Sequence, residues 1–297
     1  MNANIKKWEV GNAPVTVIML TLNEAHNLPR ILENLKGWAS QVIILDSYSS
    51  DNTVDIALNS GAIVAQKKFG GFGSQWNFAV QLKDISMPWV MKIDPDELLT
   101  QELKENIISS CNNEKNYNAF VVKRKLWFMG KPMPVEQKII RIWRHQKCYF
   151  NDVLVNEHPI INGNVLEIEG EIEHHDSPSL EHWFNKQNVY TSYEAEILFK
   201  KKNLADSPKL FGNKLQRRMW LKRNYFKVPF RYHLLFFYNF FILGAFKAGN
   251  VGYIWARLRS EIMRLIQYKL LEAKIYGHMP ARFIYLQGKP DPRVDQY

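Results

Sequence analysis

Apolar and polar residues alternate in blocks over the first hundred residues of the chain. Short, almost continuously apolar runs predict buried strands, and the longer segments between them, in which apolar residues recur every three or four positions, predict helices. The predicted strands are 15–20 (VTVIML), 41–46 (QVIILD), 62–66 (AIVAQ) and 89–94 (WVMKID), and the predicted helices are 24–38, 49–61 and 74–84. Strands that alternate with helices in this way are typical of a parallel sheet covered on both faces.

The polar segments that follow the four predicted strands should lie close together in space. They read TLNE (21–24), DSYSSD (46–51), KKFGGFGSQWN (67–77) and DPDE (94–97). Sheets of this kind bind ligands outside the carboxyl ends of their strands. We therefore expect a binding site where these four loops converge.

Beyond Cys111 the pattern changes. Segments 118–128 and 137–145 read as strands of mixed character, which we expect to join the parallel core as antiparallel additions. From Ser179 the chain reads as helical to about residue 275, and residues 287–297 read as a loosely ordered tail. We predict an α/β fold with a Rossmann-like, mostly parallel sheet over residues 1–178 and a helical C-terminal extension over residues 179–297.

The fourth predicted strand ends in three carboxylates, Asp94, Asp96 and Glu97, with Pro95 between the first two. Proline restricts itself and the residue before it, so the strand must stop or turn here and display its carboxylates. Crowded carboxylates repel one another unless a cation or hydrogen-bond donors compensate. Mg²⁺ or Mn²⁺ would fit, because such ions bind one or two carboxylates together with substrate phosphates. The alternative is a polar turn in which Asp96 or Glu97 caps the next helix.

The positive charge of the chain is concentrated in one segment. The net charge is +10, and eleven Lys or Arg with a single acidic residue, Asp206, lie between Lys200 and Arg231. This basic belt precedes an aromatic run, LLFFYNFFILGAF (234–246), which is shorter than the ~20 residues of a spanning helix. The combination predicts contact with an anionic membrane surface. The alternatives are packing on the α/β domain or on a second subunit in a homo-oligomer; nucleic acid is disfavoured because the first half holds no recognised nucleic-acid-binding module.

Three further features narrow the class of protein. Cys111 and Cys148 have neither metal-type spacing nor a disulfide framework, which indicates a reducing compartment. The N-terminal segment MNANIKKWEV lacks the apolar core of a signal peptide. The glycines of GGFGSQW (70–76) do not form G-x-G-x-x-G and follow the third strand rather than the first, which excludes a dinucleotide-binding fingerprint.

The segment VTVIMLTLNEAHNLPRILENLKGWASQVIILDSYSSDNTVDIA (15–57), followed by DPDE, resembles the family 2 glycosyltransferases. NEHP (156–159) and HHDSPSLEHWFNKQNVYTSYEA (174–195) are similar to the lipopolysaccharide core β-glucosyltransferases within that family. The resemblance covers about residues 14–200. It implies a GT-A fold and an inverting, metal-dependent hexosyltransferase that moves sugar from a nucleotide-sugar donor, such as a UDP-hexose, to a lipid-linked saccharide such as the lipopolysaccharide core. It also implies a cytoplasmic enzyme, peripheral on the inner face of the cytoplasmic membrane.

The resemblance implies roles for individual residues as well. Those expected around the nucleotide sugar are Thr21, Asn23, Glu24, Asp46, Gln75, Asn77 and Asp94. Within that set, Asp46 would hold the uracil or the ribose, and Asp94 would lie near the ribose and the metal. Asp96 would coordinate the Mn²⁺ or Mg²⁺ ion that bridges the donor diphosphate, and His175 would approach the metal or the diphosphate.

An inverting transfer also needs a general base for the acceptor hydroxyl. Glu157 is our candidate, with Asp152 and Glu136 as rivals. Arg141 and Arg144 would either meet phosphate or lie solvated on their strand.

Two other classes of protein remain open. A nucleotidyltransferase would also use paired aspartates and Mg²⁺, but it should carry a basic, glycine-rich phosphate loop after the first strand, where this chain has TLNEAHN (21–27). A non-catalytic membrane or nucleic-acid adaptor on a decayed enzyme scaffold is disfavoured, because Asp46, Asp94 and Asp96 are all present.

Overall fold

The computed structural model describes residues 6–154, 157–200, 206–280 and 287–297. In those residues the strands are β1 (Ala13–Thr21), β2 (Ala39–Asp46), β3 (Ile63–Gln66), β4 (Trp89–Lys92), β5 (Glu97–Leu99), β6 (Ala119–Phe128), β7 (Lys131–Arg144), β8 (Cys148–Phe150), β9 (Pro159–Ile161), β10 (Val165–His175) and β11 (Asp295–Gln296). The α-helices are α1 (Leu28–Leu35), α2 (Thr53–Ser60), α3 (Phe72–Ala79), α4 (Gln101–Asn113), α5 (Leu180–Phe199), α6 (Lys214–Asn224), α7 (Arg231–Phe237) and α8 (Gly249–Tyr276).

The parallel part of the central sheet consists of β3, β2, β1 and β4, in that spatial order. Thr21 at the end of β1 is level with Asp46 at the end of β2, which is level with Gln66 at the end of β3. The predicted parallel sheet is therefore confirmed, and the polar loops after its strands meet at one edge. The apolar strands are buried because helices cover both faces.

Antiparallel strands extend the sheet beyond β4. β7 pairs antiparallel with both β4 and β6, β10 runs parallel to β6, and the short β5 pairs antiparallel with β10. This confirms the predicted antiparallel additions. The pairing of His174 with Glu97 places the end of β10 beside the acidic stretch that follows β4.

The core follows from the alternation of side chains along each strand. On one face Val17 and Met19 of β1 pack with Leu28 and other residues of α1, and on the other face Ile18 packs with Trp76 of α3. A third apolar cluster joins the β6–β7 hairpin to the C-terminal helices; its buried members are Phe128, Met133, Trp183, Ala245, Trp255 and Ala256.

Residues 179–200 and 206–276 are largely helical, as predicted. Between α7 and α8 the chain forms a π-helical turn (Tyr238–Ile242) and a 3₁₀ turn (Ala245–Ala248). Within the described residues, none of the helices has by itself the length and apolar character needed to cross a bilayer. The segments Arg231–Ile242 and Ala245–Tyr276 reach those values only together, and they are bent by 69°.

The expectation of a loose tail at 287–297 is wrong. Asp295 and Gln296 form β11 and pair in parallel with Ala65 and Gln66 of β3. The side chain of Gln66 supports this pairing, because its Oε1 accepts hydrogen bonds from the Asp291 backbone N–H and from Gln296 Nε2. The tail therefore protects the edge of the sheet next to β3.

Candidate active site

A buried aspartate at the end of β2 organises the first two loops. Asp46 accepts hydrogen bonds from the Thr21 hydroxyl at 2.9 Å, from Gln66 Nε2 at 2.8 Å, and from both the backbone N–H and the hydroxyl of Ser49. The carboxylate is fully buried. Because these internal donors already engage both oxygens, Asp46 shapes the wall of the site through Ser49 and Thr21.

The loop after β1 is locked onto the loop after β2. Asn23 adopts a left-handed backbone conformation with φ of 57°, which asparagine tolerates better than most residues. Its backbone N–H donates to the Ser49 hydroxyl, and its side-chain oxygen accepts from the Ser50 N–H at 2.8 Å. This leaves the two loops as one rigid surface beside the strand ends.

Helix α3 carries Gln75 and Asn77, the two amides predicted near the donor, and their hydrogen-bond partners differ. Gln75 is fully buried and donates to the Ser47 hydroxyl and the Lys67 carbonyl, while its Oε1 has no hydrogen-bond partner among the described residues. Asn77 instead pairs with both backbone groups of Phe150 in β8. Gln75 thus fixes the segment after β3 from inside the fold, whereas Asn77 anchors a neighbouring strand.

The glycines before and within α3 have a packing role. A Cβ at Gly73 would lie 2.2 Å from the Asn151 carbonyl oxygen, and Gly71 has a φ of +129°. Their absence of side chains lets the segment after β8 lie directly on the start of α3.

Arg141 of β7 forms ion pairs with two carboxylates of the acidic stretch after β4. Its guanidinium donates to Asp94 Oδ2 at 2.8 Å and to the buried Glu97, which also accepts from Arg124 and from the Asp94 backbone N–H. Burial would raise the pKa of Asp94, but the charges of Arg141 and Lys92 outweigh it and lower this pKa to about 2. Arg141 therefore holds an ionised carboxylate at the site, and the side chain of Asp94 remains 36% exposed.

Asp96 belongs to a separate cluster with residues from β10, α5 and the turn between them. His174 Nε2 lies 3.4 Å from Asp96 Oδ2, and one ligand atom from each of Asp96, His174 and Asp176 falls within 4.8 Å of the others. Lys186 donates to Asp96 Oδ2 at 2.8 Å and to Asp176 Oδ1 at 3.1 Å. Despite burial, Lys186 and His174 keep the pKa of Asp96 well below its usual range.

The chemistry of this cluster fits a divalent cation. Two carboxylates and an imidazole are ligands that Mn²⁺ accepts, and carboxylates alone suit Mg²⁺. The ammonium of Lys186 lies among them, so a metal ion would share the carboxylates with it or displace it. The residues that would hold the ion are Asp96, His174 and Asp176.

The structure places His174, rather than the predicted His175, beside Asp96. Successive side chains of a strand point to opposite faces, so only one of the two histidines can face the acidic cluster. The His175 ring stacks on Trp127 and lies 3.1 Å from both Arg30 and Glu173. Its link to the acidic loop is through its backbone N–H, which donates to the Asp96 carbonyl.

Glu24, also predicted near the nucleotide, has an unusual protonation equilibrium. Burial and the nearby charge of Asp96 raise the pKa of Glu24 to about 7, although the Asn27 amide donates to its carboxylate at 2.8 Å. The loop after β1 thus presents a carboxyl group that changes charge near neutral pH, next to the acidic cluster.

Glu157 lies next to the end of β4. Its carboxylate forms an ion pair with Lys92, and both side chains are about 10% exposed. The Lys92 ammonium also lies 4.5 Å from the Trp76 ring centroid. The rivals Asp152 and Glu136 are exposed, and Glu136 lies on β7 opposite Lys125.

Tyr190 of α5 connects these groups electrostatically. Burial raises the pKa of Tyr190, the charge of Lys186 opposes this, and the charges of Asp94, Asp96 and Glu157 raise the pKa further. The acidic loop thus meets the histidine cluster through Asp96, and the candidate base pairs with Lys92 at the end of the strand that precedes the loop. Sequence reasoning missed Asp176, Lys186 and Tyr190, although all three fall inside the segment HHDSPSLEHWFNKQNVYTSYEA.

A mostly parallel sheet with an acidic site at the carboxyl ends of its strands is typical of the GT-A fold. A mannosyltransferase of Pyrobaculum calidifontis, PcManGT, solved in complex with GDP-Man and Mn²⁺, has the same fold with a TM-score of 0.54, at 14% identity and with 91% of each chain covered. The sequence pattern of glycosyl transferase family 2 matches residues 16–155. This match gives residues 16–155, a little less than half of the chain, the pattern of a family 2 domain.

Curated relatives agree with this assignment. An uncharacterised glycosyltransferase of Rickettsia prowazekii is 29% identical over 201 residues, covering 63% of this chain and 68% of the relative. One of Rickettsia felis is 27% identical over 279 residues and covers 88% and 92% of the two chains. The lipopolysaccharide core biosynthesis glycosyltransferase LpsC of Rhizobium meliloti is 26% identical over 194 residues, covering 62% of this chain and 71% of LpsC.

Proposed function

We propose that the protein is an inverting, metal-dependent hexosyltransferase that transfers sugar from a nucleotide-sugar donor, such as a UDP-hexose, to a lipid-linked saccharide such as the lipopolysaccharide core. The observation that carries the proposal is the acidic edge of the sheet, where Asp94 and the cluster of Asp96, His174 and Asp176 meet. The similarity to LpsC supports the class of acceptor, and the fold shared with a GDP-Man-binding enzyme supports a nucleotide-sugar donor.

The donor would lie along the carboxyl ends of β1, β2 and β4. The rigid surface built by Asn23 and Ser49 would support the nucleoside. Asp94, held ionised by Arg141, would bind the ribose side of the donor. A divalent ion bound by Asp96, His174 and Asp176 would neutralise charge on the diphosphate as it leaves.

Glu157 would remove the proton from the acceptor hydroxyl while that oxygen attacks the anomeric carbon. One such displacement, with the nucleoside diphosphate as leaving group, inverts the anomeric configuration. The ion pair with Lys92 would keep the carboxylate in place until the acceptor arrives. Because its rivals Asp152 and Glu136 are exposed, Glu157 is the carboxylate among the three that is shielded from water.

The acceptor class also sets where the enzyme would work. A lipid-linked saccharide is built where nucleotide sugars and membrane meet, so we propose a peripheral enzyme on the inner face of the cytoplasmic membrane. The basic belt of residues 200–231 agrees with this location.

A donor panel tests the proposal. We would measure thermal unfolding with UDP- and GDP-sugars, with and without Mn²⁺, and then assay transfer to deacylated and intact core lipid with the active donor. We expect one donor to raise the melting temperature only when Mn²⁺ is present, and the product to have the opposite anomeric configuration by NMR. A product that retains the donor configuration, or no donor that stabilises the protein, would contradict it.

A further inference from the structure

Large apolar side chains are exposed along one short part of the C-terminal region. Between residues 230 and 246 the exposed ones are Phe230 (78%), Leu234 (54%), Phe237 (54%), Tyr238 (49%), Phe241 (53%), Ile242 (74%) and Phe246 (47%). We call residues 230–246 the aromatic bend. An exposed apolar surface this dense marks a site of interaction.

One face of the aromatic bend packs against the rest of the protein, and the other is exposed to solvent. Phe236 and Phe240 stack on each other at 5.5 Å and pack against Tyr253 of α8, so this face is part of the fold. Phe237 and Phe241 stack at 5.7 Å on the adjacent face, which is exposed. The fold therefore already uses its own inner face and leaves a continuous row of phenylalanines to an outside partner.

The charge around the aromatic bend selects the partner. From residue 207 to residue 260 the chain contains eleven Lys or Arg and no Asp or Glu. Arg217, Arg218 and Lys227 are exposed just before the bend, and Lys247 is exposed just after it. A second copy joined through this face would bring two basic surfaces together, whereas an anionic lipid surface would neutralise them.

The bend itself fits partial insertion. The helical axis turns by 69° between Arg231–Ile242 and Ala245–Tyr276, and Gly244, at φ of +76°, allows the turn. Ile242, one of the most exposed apolar residues, lies at this corner. The polar residues Arg257, Arg259 and Glu261 of α8 follow within a few turns, so only the corner can enter an apolar phase.

We propose that the aromatic bend inserts into the interfacial region of an anionic bilayer as a wedge, with Phe237, Phe241 and Ile242 among the acyl chains and the neighbouring arginines and lysines at the phosphates. Helix α8, which leads away from the wedge, packs on α5, whose Lys186 lies in the acidic cluster. The wedge would thus hold the active-site cleft at a fixed position relative to the membrane surface. The interaction needs no donor or acceptor, so it can be tested apart from the proposed function.

The test uses an environment-sensitive NBD label on single introduced cysteines. Cys111 and Cys148 are buried, so we expect them to react little with the dye. Wild-type protein treated with the dye is the control for this background labelling. The labelled variants are Ile242→Cys and Phe237→Cys at the wedge and Glu105→Cys on the exposed face of α4 as the control. With vesicles of phosphatidylglycerol and phosphatidylcholine we expect a blue shift and a several-fold gain in emission at both wedge positions, quenched by lipids brominated in the acyl chain, and no change at Glu105→Cys.

Charge variants complete the test. Arg217→Glu with Arg218→Glu should weaken vesicle binding by at least about tenfold at low salt, and Phe237→Ser with Phe241→Ser should remove the NBD shift at Ile242→Cys while leaving charge-driven cosedimentation measurable. Binding to anionic vesicles without any shift at Ile242→Cys would overturn the wedge. A shift that appears without lipid as protein concentration rises would assign the surface to a second copy, and a shift with single-stranded RNA but not vesicles would assign it to nucleic acid.

Discussion

The two halves of this molecule treat the same kinds of side chain in opposite ways. In the described part of residues 6–200, most phenylalanines and tryptophans are buried or half-buried, and the buried cations Lys92 and Arg141 are paired with carboxylates. In residues 206–246, large apolar residues such as Phe211, Phe230 and Ile242 are exposed, and Asp206 is the one acidic residue that the sequence has among the lysines and arginines of this segment. The first region buries most of its large apolar side chains in the core, whereas the second leaves several of them exposed to solvent.

This difference separates side chains that stabilise the fold from side chains that are available to bind another molecule. An internally satisfied side chain, such as the Asp46 carboxylate, is explained by the fold alone, whereas a feature with nothing to satisfy it inside the chain points outward. The acidic edge falls between these cases. Its carboxylates have partners, but one of those partners, Lys186, pairs with Asp96 and Asp176, the two carboxylates that would hold a divalent cation.

The largest effect we expect is the loss of activity on substitution of the candidate base, Glu157. It tests whether a carboxylate that is paired with Lys92 can still act in catalysis. Glu157→Gln should lower kcat by about 10³-fold, within the range for loss of a general base, while donor binding stays unchanged. Steady-state transfer assays and donor titration measure this. Glu136→Gln and Asp152→Asn are the matched controls, and an Asp152→Asn variant that loses activity while Glu157→Gln keeps it would move the base to Asp152.

The next effect is on stability and tests the claim that the first half pairs its buried charges. Arg141→Met should cost about 3–5 kcal/mol in urea unfolding, because it removes the buried guanidinium shared by Asp94 and Glu97 and leaves Glu97 paired with Arg124 alone. Lys138→Met, which breaks an exposed pair with Glu167, should cost less than about 1 kcal/mol. Equal costs for the two variants would mean that the Arg141 network contributes no more than a surface pair.

A smaller effect, on metal affinity, should follow when the lysine that pairs with Asp96 and Asp176 is removed. Lys186→Met should raise the affinity for Mn²⁺ by about tenfold, since a competing cation is removed from two carboxylates. The variant should also unfold more easily without metal and recover when Mn²⁺ is added. Lys200→Met, at the exposed end of the same helix, removes a cation that pairs with Glu196 and should leave the Mn²⁺ affinity unchanged; weaker Mn²⁺ binding by Lys186→Met would show that the lysine supports the metal site.

The smallest effect concerns pH. The pKa of Glu24 is about 7 in the folded protein and near 4.5 in the unfolded chain, so the folded state binds more protons between these values and loses stability as pH rises through them. Glu24→Gln should remove about 1–2 kcal/mol of this decline between pH 5 and pH 8. Unfolding at several pH values measures it, with Glu33→Gln as the exposed control, and parallel pH curves for wild type and Glu24→Gln would contradict it.

Much of the fold could be predicted because β1 to β4 are continuous apolar runs, and such runs are distinctive. The boundaries were less accurate. Helix α1 begins at Leu28 rather than at residue 24, because residues before it form a turn fixed by Asn23 and Ser49 and because Pro29 suits the first turn of a helix. The pairing of the tail with β3 could not be foreseen, since it depends on contacts with Gln66 more than two hundred residues away.

The candidate site was predictable in part for the same reason. Asp46, Asp94 and Asp96 follow predicted strands, so their place at the sheet edge could be inferred from the strand order. The choice of His174 over His175 depends on which way β10 faces, and the alternation of its polar residues does not reveal this. Lys186 joins Asp96 only through the packing of α5, and Asp176 joins it through the end of β10; no local pattern encodes either contact.

The most direct measurement is Mn²⁺ binding, followed by EPR, in the presence of UDP or GDP. For wild-type protein we expect one of the two nucleotides to tighten Mn²⁺ binding, and we expect Asp96→Asn to weaken it by at least about 100-fold while the exposed control Asp84→Asn binds normally. If Asp96→Asn binds Mn²⁺ and nucleotide as tightly as wild type, the acidic edge of the sheet is not the donor site.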